Sequence, residues 1–267
     1  MQKYCFPTSG VQIMGILNIT PDSFFDGDVY ASPELALKRA LDMQTQGVDI
    51  IDIGGQSTRP GAVPVPPAEE LRRLLPVLEA LAGQVSIPVS VDTFCPEVAE
   101  QALAQGAVMV NDVSGEVSAE MAEVVRRHNA GWVLMHNGGG ADAVNDYRPD
   151  VVTCVRQRLM EMTEQAMRLG IAREKLCVDP GIGFGKTRDD NIRLLASVRE
   201  LKLEGVALLV GASRKRVTGE DVPPKERLGG TIAAHTVAQL GGADILRAHD
   251  VREARQAADF TELVKAT

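Results

Sequence analysis

Short runs rich in β-branched and apolar residues alternate along this chain with longer stretches whose apolar residues recur at helical spacing, and this alternation is the signature of parallel βαβ units. Strands are expected at 12–17, 49–54, 88–92, 108–113, 132–135, 176–179, 208–211 and 244–248. Helices are expected at 32–46, 67–81, 96–105, 118–129, 150–169, 191–201, 231–240 and 251–264. Eight strand-helix units in 267 residues fit a closed (β/α)8 TIM barrel better than a doubly wound sheet, which uses roughly five or six strands. No low-complexity segment or linker breaks the pattern, so a single domain over residues 1–267 is expected.

Local signals agree with the count. Ser32 precedes Pro33, Pro96 follows Cys95 and Ser118 precedes Glu120, all suited to helix starts, while Gly47, Gly106 and Gly170 stand where a left-handed stop is wanted. Lys plus Arg number 28 against 36 Asp plus Glu, a net charge of −8 with no separate basic run, which argues against nucleic acid or an anionic membrane as the main partner. No stretch approaches the ~18 apolar residues of a membrane span, and the start MQKYCFPTSG lacks a signal peptide's apolar run. A cytoplasmic protein is expected. Cys5, Cys95, Cys154 and Cys177 form neither a CxxC pair nor a disulfide framework, and are read as reduced and structural. The histidines show no HxH or HExxH spacing, so any metal should be bound by oxygen.

In such a barrel the active site lies at the carboxyl ends of the strands, so its residues can be named before the reaction is known. In strand order these positions hold Asn18, the 54–61 loop with Thr58 and Arg59, Asp92, Asn111 with Asp112, Met135 with His136, Asp179, the 213–215 segment, and Arg247 with His249. A single Asp after a strand is more often a helix cap than a catalyst. Six or more polar groups at one barrel mouth indicate a site instead. Asp92, Asn111 and Asp179 can pair with the adjacent N–H donors of a flat aminopyrimidine-like heterocycle, whereas Arg59, Arg247 and His249 suit phosphate or diphosphate.

Two segments need separate reading. The run from Gly181 to Thr187, GIGFGKT, resembles a phosphate loop, but Pro180 occupies the first position of GxxxxGK[ST] and the third glycine comes one residue too early for GxGxxG. A flexible turn that brings Phe184 over the pocket is expected instead. The segment 19–28, ITPDSFFDGD, places Phe24 and Phe25 together in a chain with only 4% aromatic residues. They fit packing on the barrel or a mobile lid.

The segments MGILNITPDSFFDG, GGQSTRPGA, PVSVDTFCPEVA, VNDVSG, VDPGIGFGKT, GASRK and RAHDV, running from Met14 to Val251, resemble the dihydropteroate synthases in order and spacing. The resemblance implies a transferase of folate biosynthesis that joins p-aminobenzoate to 6-hydroxymethyl-7,8-dihydropterin diphosphate, is inhibited by sulfonamides and works with Mg²⁺. It places Asp92, Asn111, Met135, Asp179, Phe184 and Lys215 at the pterin, and Asn18, Arg59, Arg247 and His249 at the diphosphate, with Asn18 also approaching the metal. It places Phe24, Thr58, Pro60, Phe184, Ser213 and Lys215 at p-aminobenzoate, and Asp26 beside the incoming amine. A catalytic set of Asp26, Asp92, Asp179, Lys215, Arg247 and His249 follows from the resemblance. It also implies a homodimer through the late helices, for which the largely apolar 231–240 stretch offers a surface and burial against the barrel is the other reading.

The chain departs from the family pattern at three places. Gln56 stands where the family usually has Glu, Asn137-Gly-Gly-Gly-Ala-Asp142 replaces a Met-x-Gly-x-Pro run and should be more flexible, and Arg216-Val217-Thr218-Gly219 replaces a more apolar turn. Two other readings share the barrel and acidic pocket. One is a pterin-binding methyltransferase domain that works with a corrinoid protein, which would not need the paired Thr58-Arg59-Pro60 and Ser213-Arg214-Lys215 segments. The other is a non-catalytic pterin binder, kept open by Gln56 and Asn137.

Overall fold

Strand β1 (Gln12–Asn18) pairs in parallel with β2 (Ile50–Gly54) on one side and β8 (Ile245–Ala248) on the other, so the sheet has no free edge. The intervening strands β3 (Val89–Asp92), β4 (Met109–Asp112), β5 (Gly131–Met135), β6 (Leu176–Asp179) and β7 (Ala207–Val210) complete a closed parallel barrel in chain order. This is a computed structural model, and it describes residues 4–7, 10–19, 32–56, 65–139, 143 and 145–267.

The helices around the barrel are α1 (Pro33–Thr45), α2 (Pro67–Leu81), α3 (Pro96–Ala104), α4 (Ala119–His128), α5 (Val151–Arg168), α6 (Arg188–Ala196), α7 (Val198–Leu201), α8 (Leu228–Leu240) and α9 (Val251–Lys265). The expected helix at 191–201 is two helices: Thr187 and Asp190 form a reciprocal capping box that starts α6 at Arg188, and Ser197 separates it from α7. Helix α8 likewise begins three residues before the expected 231, at Leu228. Ser32 and Ser118 cap their helices through their side-chain oxygens, and Gly47, Gly106 and Gly170 have positive φ.

Because side chains alternate across a strand, each strand feeds two cores. Ile51 and Ile53 of β2 point outward and pack with the helices, in a cluster that includes Leu74 and Val77 of α2. Ile50 points inward and joins Met14, Met109, Val133, Cys177, Ala207, Leu209 and Ile245 in a separate apolar layer inside the barrel. Phe6, edge-on to Tyr4 at 5.3 Å between ring centroids, closes that layer from the amino-terminal end of the strands. Gly15 permits the outer packing: a Cβ there would come within 2.9 Å of Val48 and 3.0 Å of Val251, so only glycine lets β1 meet α9 so closely.

Candidate active site

Two residues further along five of the strands, on the same inward face, the apolar layer gives way to a largely polar one. Asp52 follows Ile50, Asn111 follows Met109, Met135 follows Val133, Asp179 follows Cys177 and Arg247 follows Ile245. Parallel pairing sets Asp92 opposite Asn111 and Met135 opposite Asp179. The barrel thus brings together Asp92, Asn111, Met135, Asp179 and Arg247, which the sequence had placed at separate strand ends. Asp112 points the other way: it accepts from the Ser114 backbone at 2.9 Å and from the Trp132 indole at 3.3 Å, which makes it a structural carboxylate.

Arg247 is the hub. Its Nε donates to Asp52 Oδ2 and its guanidinium NH2 to Asp92 Oδ2, both at 2.7 Å, while Asn111 Nδ2 donates to Asp52 Oδ2 at 2.9 Å. One cation therefore serves two carboxylates, and Asp52 Oδ1 and Asp92 Oδ1 are buried without a hydrogen-bond partner among the described residues. Burial raises Asp92 to about 7, opposed by Arg247 and reinforced by Asp52. Arg247 itself is raised, since the two carboxylates outweigh its burial.

Sequence reasoning missed Asp52. Its signal was available: an Asp two positions after an inward-facing Ile, in a run otherwise made of isoleucine and glycine, must share that isoleucine's face.

Asp179 accepts at 2.7 Å from the Gly181 backbone, and burial raises it against the pull of Lys215. Burial lowers Lys215 to about 8, opposed by Asp179. Its ammonium donates to Ile182 O at 2.6 Å and lies 4.7 Å over the Phe184 ring. The turn that carries Phe184, expected to be flexible, is instead held by several hydrogen bonds. Gly183 donates to Asn191 at 2.7 Å, and Tyr147 and Asn145 donate to Gly185 O at 2.9 and 2.7 Å. Lys186, a second residue that the sequence did not single out, donates to the carbonyls of Gly181 and Phe184 at 3.0 and 2.9 Å.

Ser213 sits beside His249: its Oγ lies 3.0 Å from Nδ1 and accepts the His249 backbone N–H at 3.2 Å. Between Ser213 and Lys215, Arg214 has φ of +57°. That left-handed geometry is held by Arg214 N donating to Thr231 at 2.9 Å, by Arg227 donating to Arg214 O at 2.9 Å, and by an ion pair with Asp250. The turn sends Ser213 to His249 and Lys215 to the turn after β6, while Arg214 is spent on structure. Asn18 ends β1 beside Gly54, where a Cβ would lie 3.3 Å from its Oδ1. Phe24, Asp26, Thr58, Arg59 and Pro60 lie outside the described residues.

The three departures are structured where described. Gln56 is buried after β2. Asn137 donates to Val113 O at 2.7 Å and accepts from Gly139 N at 2.8 Å. Arg216–Thr218 form one 3-10 turn, in which Thr218 donates to Lys215 O at 2.8 Å.

A family model described as "Pterin binding enzyme" matches residues 14–249. The dihydropteroate synthase of Synechocystis sp. is 47% identical over 251 residues, which cover 91% of this chain and 86% of that protein. The Clostridium difficile dihydropteroate synthase, solved in the presence of pteroic acid, superposes with a TM-score of 0.90 at 43% identity, over 99% of this chain and 100% of that one. The Xanthomonas albilineans dihydropteroate synthase, solved with 4-aminobenzoic acid, gives 0.90 at 43% identity over 97% and 94%.

The shared cation makes a stability prediction. Asp52→Ala removes one arm of a buried ion pair and leaves the Asn111 amide without its acceptor, so it should cost on the order of 3 kcal/mol in urea unfolding. A loss below about 1 kcal/mol would show that the hub does not depend on Asp52.

Proposed function

Because the chain belongs to the dihydropteroate synthases, a family of pterin-binding enzymes, we propose that the hub of Arg247, Asp52 and Asp92 is where it carries out the family's reaction. In that reaction p-aminobenzoate displaces diphosphate from 6-hydroxymethyl-7,8-dihydropterin diphosphate to give 7,8-dihydropteroate. The observation that carries this reading is the polar layer itself. Buried carboxylates with unpartnered oxygens call for N–H donors, and a pterin edge supplies them in a flat, paired array.

Asp92, Asn111 and Asp179 hold the pterin edge, and Met135, Phe184 and Lys215 line its slot. As the C–O bond to diphosphate breaks, positive charge spreads from the methylene into the ring, where the fixed carboxylates of Asp92 and Asp179 stabilise it. Arg247, His249, Arg59 and Asn18 take the departing diphosphate, with Ser213 fixing the His249 ring. Phe24, Thr58, Pro60, Phe184, Ser213 and Lys215 hold p-aminobenzoate, and Asp26 lies beside its amine. An arylamine is a weak nucleophile, so the displacement is largely dissociative and gains more from early departure of diphosphate than from a strong base.

Mg²⁺ suits this site as a substrate-held ion. Asn18 offers one hard oxygen at the barrel mouth, and among the described residues no three His, Cys, Asp or Glu side chains are grouped as a protein cage. When bound, the metal would offset charge on the leaving diphosphate.

The pairing of β8 with β1 and the packing of α9 on both strands support reading the chain as one domain. Among the described residues no helix is long and apolar enough to cross a membrane. The four free cysteines support a reducing, cytoplasmic location.

A homodimer through α8 and α9 completes the reading. Val237 and Leu240 of α8 and Phe260, Leu263 and Val264 of α9 are exposed, Phe260 at 67% and Leu263 at 68%, on two helices packed together and away from the barrel mouth. Sedimentation equilibrium should give twice the chain mass of 28.6 kDa, and Leu263→Glu should return one chain mass. A species of one chain mass at every concentration would contradict the dimer.

The reaction is tested by assaying diphosphate release with Mg²⁺, which should require both substrates and yield 7,8-dihydropteroate. Methyl transfer to a corrinoid protein, or pterin binding without turnover, would overturn the reading. The pterin needs Asp92 ionised, so kcat/KM should fall as pH drops through about 7 and Asp92 protonates. Lys215 must stay charged, so kcat/KM should fall again as pH rises through about 8. A profile that is flat across both limbs would contradict these roles.

A further inference from the structure

Lys186 is almost wholly buried, yet among the described residues each of its hydrogen-bond partners is neutral: three lie within 3.0 Å and a fourth, His136 O, at 3.4 Å. Its ammonium lies 3.0 Å from Gly181 O, 2.9 Å from Phe184 O and 3.0 Å from His136 Nδ1. Burial, opposed by Asp179, lowers Lys186 to about 7, and burial lowers His136 to about 4, which keeps its imidazole neutral; the tautomer with its proton on Nε2 leaves Nδ1 as an acceptor for the Lys186 ammonium. The three N–H donors find their short contacts at the end of β5 and at both ends of one turn, with His136 O as a longer fourth acceptor.

A buried cation without a contacting counter-ion is a poor stabiliser, and an apolar side chain of similar length would fill the space at lower cost. What the ammonium adds is geometry. The turn after β6 has Gly181, Gly183 and Gly185 at φ of +65°, +85° and +61°, a backbone with many competing shapes. Lys186 ties its first and fourth carbonyls to one point. In the same turn Lys215 binds Ile182 O and covers the Phe184 ring.

We propose that Lys186 is a positioning residue, which fixes the 181–185 turn in the one shape that lays Phe184 against Lys215 and so sets the affinity of the site for the aromatic amine. The proposal rests on the reading above, in which Phe184 and Lys215 line the p-aminobenzoate subsite. Lys186 touches neither substrate. Its effect reaches the arylamine through Phe184 alone.

Steady-state kinetics of Lys186→Met, Phe184→Ala and the double variant test this. Lys186→Met should raise KM for p-aminobenzoate at least about tenfold while kcat stays within about threefold. In the Phe184→Ala background, which itself raises KM, adding Lys186→Met should change KM less than about twofold, because the same route is already cut. Lys186→Gln, whose amide keeps two donors for the two carbonyls, should recover most of the KM and serves as the reporter if Lys186→Met does not fold. An unchanged KM in a folded Lys186→Met, beside a raised KM in Phe184→Ala, would overturn the positioning role alone. An unchanged KM in both would overturn the placement of Phe184 and this proposal with it. Additive effects, or a Lys186→Gln as impaired as Lys186→Met, would assign Lys186 to general stability.

Discussion

One guanidinium shared between two buried carboxylates governs the rest of this site. Arg247 spans from Asp52 on β2 to Asp92 on β3, and Asn111 on β4 leans on the same Asp52 oxygen. Four side chains from four strands therefore form one bonded unit across the barrel mouth. Burial lifts Asp92 against the pull of Arg247, and among the described residues two carboxylate oxygens of the unit have no protein donor. A buried network left short of donors is costly to keep and well suited to a ligand that brings them.

The sharing gives Arg247 two roles that a list of strand ends treats as separate. Its residue type and place suggest an anion partner, and the family resemblance puts it at diphosphate. The structure also ties it by a 2.7 Å bond to Asp92, which the resemblance puts at the pterin. Arg247 is thus the physical link between the carboxylate-lined and cation-lined ends of the site. In the proposed reaction the leaving diphosphate would separate from the pterin across this side chain.

The fold and most of the strand-end groups were legible in the sequence because both follow from simple periods. Eight alternations gave the barrel, and the carboxyl-end rule gave Asp92, Asn111, Met135, Asp179 and Arg247. The rest depended on which way a side chain faces or what it meets far along the chain. Asp52 was hidden inside a hydrophobic strand, and only its two-residue offset from an inward isoleucine reveals it. Asp112, beside Asn111 in sequence, faces outward to Trp132 and leaves the site. The GIGFGKT turn looked loose because glycine allows many shapes. Nothing local shows that Lys186, His136, Asn145, Tyr147 and Asn191 converge to choose one of them.

The central claim is that Arg247 joins the pterin pocket to the diphosphate cradle, and calorimetry on Arg247→Met tests it most directly. Two ligands are titrated separately, 6-hydroxymethyl-7,8-dihydropterin and inorganic diphosphate with Mg²⁺. The account predicts that both bind at least about tenfold more weakly than to the parent, about 1.4 kcal/mol or more each, because the substitution frees Asp92 from its anchor and removes the anion contact together. Weakened diphosphate binding with unchanged pterin affinity would contradict it, by showing that the two ends of the site are held independently.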